Sequence, residues 1–223
     1  DRNVVIEGNT FDRNVQANDT DNLINSSTGL PGAPANCHAN EPDARQAAIR
    51  FCNSGTVEQV AILNNFILLT GVPQTATAVL ADGILFDIGI IEIRDLLIDS
   101  NVIHQNTRNG IKFDYEGRLG ENVIISNNAR GVQGITQNGP APALLPDEGN
   151  GIYITSRVRE VRGVQFVNNV INGNRGQYRG VQDTADTDAY LPHAGADGQR
   201  YKPCRDGNGI SIEASGRVED VLW

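Results

Sequence analysis

An asparagine that returns at one place in a repeated apolar pattern constrains this chain more than any other feature. It stands at Asn9, Asn65, Asn101, Asn128 and Asn169, each time three residues after the second member of an alternating apolar pair: Val4/Ile6, Val60/Ile62, Leu96/Ile98, Val123/Ile125 and Val164/Phe166. Alternation with period two marks a strand with one buried face. An amide at the bend after such a strand can hydrogen-bond the same amide in the copies above and below, satisfying polar groups that burial would leave unpaired. Five residues further on, Asn14, Asn106 and Asn174 make a second column, with Thr70 in that place in another copy. Columns of amides require stacked copies.

A first strand precedes each of these except the opening pair, Val4/Ile6. The fullest copy runs from Asn109 to Gly131 as NGIKFDYEGRLGENVIISNNARG, with looser copies opening at Ala48, Asp82, Asn150 and Asn208. Ile49, Ile84, Ile111, Ile152 and Ile210 share one position, and Phe51, Phe86, Phe113, Ile154 and Ile212 the position two residues later. A helical reading fails, because the apolar residues alternate and the segments are rich in Asn, Gly and Ile. No unit is large enough to bury its own apolar face, so a core forms only between neighbours, which is the logic of a solenoid.

These motifs, NGI at one strand and NN at the next bend, resemble the right-handed parallel β-helix of the pectate-lyase-like superfamily, over the five copies and the opening half-copy. The resemblance implies an all-β fold, a right-handed parallel β-helix (solenoid) with asparagine ladders, and it specifies a fold better than an activity. The 223 residues, 39% hydrophobic, suit a single domain over 1–223. Since the pattern opens and closes in mid-repeat, an internal fragment of a longer solenoid is expected. Spacings of 35, 27, 41 and 58 residues between the first-strand isoleucines place insertions at 15–44, 72–81, 132–148 and 175–206. All leave after the asparagine bend, so stacking should project them from one side, where binding loops usually reside.

The net charge of −9 and the lack of a basic stretch argue against a nucleic-acid partner, and no apolar run is long enough to span a membrane. Of three cysteines, Cys52 sits on an early strand with its side chain expected outward, in reach of a loop. A Cys37–Cys52 disulfide pinning the first insertion is the expected pairing, with Cys204 left over and an oxidising compartment implied.

Outward first-strand positions should stack about 4.8 Å apart. One column reads Arg50, Leu85, Lys112, Tyr153, Ser211 and the next Cys52, Asp87, Asp114, Thr155, Glu213. Asp87 and Asp114 then lie on adjacent copies with Lys112 beside them, the candidate catalytic set, while Arg50, Tyr153, Tyr190 and Glu213 are candidate ligand contacts. In enzymes that this fold resembles, such a face binds calcium, or protonates and attacks a glycosidic bond in an acidic polysaccharide. Stacked carboxylates need a raised pKa, a bridging cation or the Lys112 charge. An outward face must be polar somewhere, so a solvated surface is the plainer reading. The GHG and RxK motifs of polygalacturonases and the DPHD or DPHE of alginate epimerases are absent.

Acidic loops offer oxygen ligands for calcium at Asp19/Asp21, Asp147/Glu148 and above all Asp183, Asp186 and Asp188, although none matches an EF-hand loop. Tyr115, Tyr153, Tyr178, Tyr190 and Tyr201 could line a sugar-binding surface or anchor loops. The expected function is a secreted or cell-surface scaffold or adhesin presenting loops to a polysaccharide or a cell-surface protein. The alternatives are a polysaccharide lyase, glycoside hydrolase or epimerase, and an extracellular filament subunit that self-associates through the ends of its stack.

Overall fold

The structure, a computed structural model, describes residues 1–12, 24–25, 46–52, 55–68, 81–106, 108–128, 132–134, 149–171 and 209–223. Every regular element among them is a strand. The alternating segments form β1 (Arg2–Glu7) and β2 (Thr10–Asp12), followed by β3 (Ile24–Asn25). Next come β4 (Gln46–Phe51), β5 (Gly55–Leu63) and β6 (Phe66–Leu68). The succession repeats as β7 (Ala81–Phe86), β8 (Ile90–Asp99) and β9 (Val102–Asn106), then as β10 (Ile111–Phe113), β11 (Arg118–Ser126) and β12 (Val132–Gly134). It continues with β13 (Ile152–Ile154), β14 (Glu160–Val167), β15 (Ile210–Ile212) and β16 (Arg217–Glu219).

Three sheets result, and all their described pairings are parallel. The first has the order β15-β13-β10-β7-β4-β3, the second β1-β5-β8-β11-β14-β16 and the third β12-β9-β6-β2. From β4 to β14 the chain visits the sheets in fixed rotation, each strand settling beside its counterpart from the round before. β1, β2 and β3 visit the second, third and first sheets in the same rotation, and the break falls after β3, which the next described strand, β4, joins in the first sheet with Ile49 beside Ile24 and Arg50 beside Asn25.

Register confirms the sequence columns. Ile49, Ile84, Ile111, Ile152 and Ile210 pair in one row across the first sheet. Val4, Val60 and Leu96 share a row of the second sheet, as do Val123 and Val164 further along it. The inward rows fill a core between the sheets, where Phe51 stacks on Phe86 at 5.0 Å and Phe86 on Phe113 at 4.8 Å between centroids. Burial of one such side chain is worth about 1.5–3 kcal/mol. The third sheet adds Phe11, Ile67 and Ile103 to the same core. Its strands went unread in the sequence, although an apolar residue two places after Asn9, Asn65 and Asn101 signals three of them.

Two columns of left-handed backbone turn the chain. One precedes the ladder asparagines: Gly8, Asn64, Ser100, Asn127 and Asn168, with φ of 70, 53, 57, 51 and 52°. The other runs through the second sheet, inside its strands at Asn3, Gln59, Asp95, Asn122 and Gly163 and just past β16 at Asp220, with φ of 56, 56, 49, 58, 65 and 50°. Left-handed backbone costs a residue with a Cβ roughly 1–2 kcal/mol, least for Asn and Asp, which explains the NN doublets.

The insertions expected at 15–44, 72–81 and 132–148 contain strand: Ile24–Asn25 form β3, Ala81 opens β7, and Val132–Gly134 pair with β9. The rest of these segments, and 175–206, lie outside the described residues.

Candidate functional site

The asparagine column forms the ladder the spacing implies. The backbone N–H and side-chain amide of Asn9 both donate to Asn65 Oδ1, at 3.0 and 3.2 Å, and those of Asn65 to Asn101 Oδ1, at 2.9 and 3.0 Å. Asn101 repeats this toward Asn128, and Asn128 toward Asn169. Of the second expected column only Asn106 is described, and it is buried; Asn14, Asn174 and Thr70 lie outside the described residues. A second ladder runs elsewhere, at the entry to the first sheet. Asn150 donates to Asn109 Oδ1 at 3.0 and 3.2 Å, and Asn109 to Asp82 Oδ1 at 2.9 Å from both nitrogens. The Asn of NGI was its signal, visible as a motif but not recognised as a ladder.

The outer face of the first sheet brings the candidate catalytic residues together. Lys112 pairs with Leu85 on one side and Tyr153 on the other, and the Asp114 N–H donates to the Phe86 carbonyl, stacking Asp87 and Asp114 on adjacent strands. The expectation of a solvated face is overturned: Arg50, Asp87, Lys112, Asp114, Tyr153 and Thr155 are all buried. Alternation reveals that a residue points out of the core but not whether something lies over it.

Burial is tolerated because the charges meet their opposites. Arg50 Nη2 and Asp87 Oδ2 form an ion pair with both side chains fully buried. Asp114 is engaged on both oxygens. Oδ1 accepts from the Thr155 hydroxyl at 3.0 Å and lies 3.6 Å from Arg157 Nε, while Oδ2 is 3.3 Å from Lys112 Nζ. The Tyr153 hydroxyl donates to Glu213 Oε2 at 3.0 Å, and the Lys112 ammonium sits 5.7 Å from the Tyr153 ring centroid. The mutual repulsion expected of Asp87 and Asp114 is thereby offset by a separate cation for each. The column already set Thr155 beside Asp114, but Arg157 was not read as a partner, since it comes from the turn after β13 and belongs to neither column.

Other expectations divide. Cys52 is disulfide-bonded and buried, not solvent-facing; Cys37, its expected partner, lies outside the described residues, as do Cys204, Tyr178, Tyr190, Tyr201, Asp183, Asp186 and Asp188. Tyr115 cannot line a sugar surface: it is fully buried and its hydroxyl donates to the Arg118 carbonyl at 3.1 Å. Burial, with a smaller contribution from the Glu92 charge, pushes its phenol well above 10. Among the described residues no three His, Cys, Asp or Glu side chains gather as a metal would require, and no helix is long and apolar enough to cross a membrane.

Outside this face, Asp99 accepts hydrogen bonds from Ser126 Oγ at 2.6 Å, Ser100 Oγ at 2.8 Å and Asn127 Nδ2 at 2.8 Å. Desolvation raises its carboxyl, but these three donors outweigh that and hold it below the ordinary 3.8. Fold and face together define an all-strand repeat protein of parallel sheets with a covered, internally matched charged face. No protein-family model, curated protein or solved structure matches the chain.

Proposed function

We propose that this chain is a right-handed parallel β-helix of the pectate-lyase-like kind, serving as a stiff secreted or cell-surface scaffold that presents its inserted segments to a polysaccharide or a protein of the cell surface. The fixed rotation among three parallel sheets supports the helix, and the strong preference of parallel crossovers for the right hand supports its sense. The family resemblance rests on the NGI and NN motifs. One observation carries the choice of scaffold over enzyme: both carboxylates that would perform acid/base work are taken up by the chain's own cations, Asp87 by Arg50 and Asp114 by Lys112 and Arg157. A catalytic pair needs groups that meet the substrate, and these meet each other.

The test is a glycan array and a turnover assay on acidic polysaccharides, run on the wild type, on Asp114→Asn and on a variant with residues 175–206 shortened. Binding without turnover, retained in Asp114→Asn and lost in the shortened variant, is the expected result. Turnover by the wild type that vanishes in a folded Asp114→Asn overturns the scaffold reading in favour of a lyase, hydrolase or epimerase.

A further inference from the structure

The second sheet turns toward solvent a surface that is ordered in both charge and shape. Two rows of charge cross it perpendicular to the strands. In the first, Thr56, Glu92, Arg118, Glu160 and Arg217 stand side by side in register. In the second, Arg2, Glu58 and Arg94 are followed by Gly120, Arg162 and Glu219. The sign alternates along both, interrupted in the second only where Gly120 carries no side chain. Within the chain Arg118 lies 3.8 Å from Glu92 and 4.0 Å from Glu160 and meets Glu121 at 2.6 Å, while in the second row Glu58 pairs with Arg2 at 3.1 Å and Arg94 at 2.9 Å.

A bulge sets an aliphatic side chain among these charges. Gly55 pairs with Ile90 and Thr56 with Glu92, so Ile91 is an extra residue in β8 with no partner in β5. Bulges re-aim side chains, and this one leaves Ile91 63% exposed at the start of a central strand. One strand over, Gly117 stands just before Arg118 and is half-buried, while Gly120, two places after it, is buried beside the Arg118 and Arg162 side chains.

We infer that this face is the interface of a homodimer whose two-fold axis runs along the strands, midway between β8 and β11. That operation lays β8 on β11 of the second copy, β5 on β14 and β1 on β16, and returns each row onto itself reversed. Glu92 then faces Arg118 of the second copy, Glu58 faces Arg162, and Arg2 faces Glu219, each twice over by symmetry. Ile91 comes over Gly117 of the second copy, so the projecting aliphatic side chain meets a glycine. A partner with a uniformly charged surface would satisfy only half of either row, which selects a second copy.

The patch is about six strands of 4.8 Å by four residues of 3.3 Å, roughly 380 Å² per copy. That is well below the ~800 Å² per partner of a stable complex, so the association is weak and sensitive to salt. Sedimentation velocity of the full chain, from about 10 μM to 1 mM at low and at ~0.5 M salt, measures it. A closed monomer–dimer equilibrium is expected, weakened at least tenfold by salt and at least tenfold by Ile91→Asp, whose far-UV circular dichroism should match the wild type. Glu92→Arg and Arg118→Glu should each weaken it, and the double charge swap should restore it. A monomer at every concentration in low salt overturns the proposal, as does an association that Ile91→Asp leaves intact or one that grows beyond two copies.

Discussion

Removing one amide from the middle of the asparagine ladder should cost far more than removing one from its end. Asn101 Oδ1 is the acceptor for the Asn65 N–H and side-chain amide, and Asn101 Nδ2 donates to the Ile62 carbonyl at 2.8 Å, the Asp99 carbonyl at 3.0 Å and Asn128 at 3.3 Å. In Asn101→Ala the buried Asn65 N–H loses its acceptor and the Ile62 carbonyl this donor. Each buried polar group left unsatisfied costs about 1–3 kcal/mol, giving about 2–6 kcal/mol in all. Asn9→Ala removes donors at an exposed position, and Asn65 Oδ1 keeps the Asn9 N–H at 3.0 Å, so the expected loss is below ~1 kcal/mol. Guanidinium unfolding followed by far-UV circular dichroism separates the two, provided the slope m is unchanged between variants. Equal losses, within about 0.5 kcal/mol, would refute the claim that the ladder supports its own interior.

The buried ion pair should behave asymmetrically. Arg50→Met leaves the Asp87 carboxylate buried without its arginine and should cost about 3–5 kcal/mol, whereas the double change with Asp87→Leu should recover most of that loss in the same unfolding assay. Two glycines should answer oppositely to a side chain. A Cβ on Gly117 would lie 2.3 Å from the Ile91 carbonyl oxygen, so Gly117→Ala should lower the midpoint sharply or abolish folding. Gly163→Asn, at φ 65° with nothing nearer than 3.9 Å, should be neutral or stabilise by up to about 1 kcal/mol, because Asn already holds that column at Asn3 and Asn122. The Asp99 carboxyl should titrate below 3.8 by NMR and move upward in Ser126→Ala; a wild-type midpoint at or above 3.8 contradicts the hydrogen-bond explanation. Since its folded pKa is depressed, its contribution to stability is present above the unfolded value and fades as pH falls through the folded one, modestly, as the group is only half-buried.

The columns legible in the sequence are those whose chemistry admits one answer. A repeated Asn after an alternating pair finds partners only in its own copies, and Ile84, Ile111 and Ile152 can be buried together only in register. The crease through Gln59 and Asp95 was invisible because neither residue announces left-handed backbone, as Gly163 does at the same place. The short third sheet offered a single inward residue per strand, too few to register as alternation. For the candidate site, the columns of Arg50, Lys112 and Asp114 were readable, but their burial and the part played by Arg157 were not. Both depend on what approaches from distant sequence, and polarity by itself is equally compatible with water and with an ion pair.

The inter-strand hydrogen bonds of all three sheets, and both amide ladders, lie along one axis, the line of stacking from β1 to β16, the first ladder donating toward β16 and the second toward β1. The molecule is therefore mechanically anisotropic. Tension along that direction loads the layers in series, so the least bonded layer yields first and the remainder keeps its register. Tension along the strands is borne by covalent backbone, with neighbouring layers loaded in shear. A chain built this way should resist lateral pulling much better than being drawn out lengthwise. Single-molecule extension from handles placed on one layer, compared with handles on widely separated layers, would show the difference as one high-force rupture against a ladder of smaller ones.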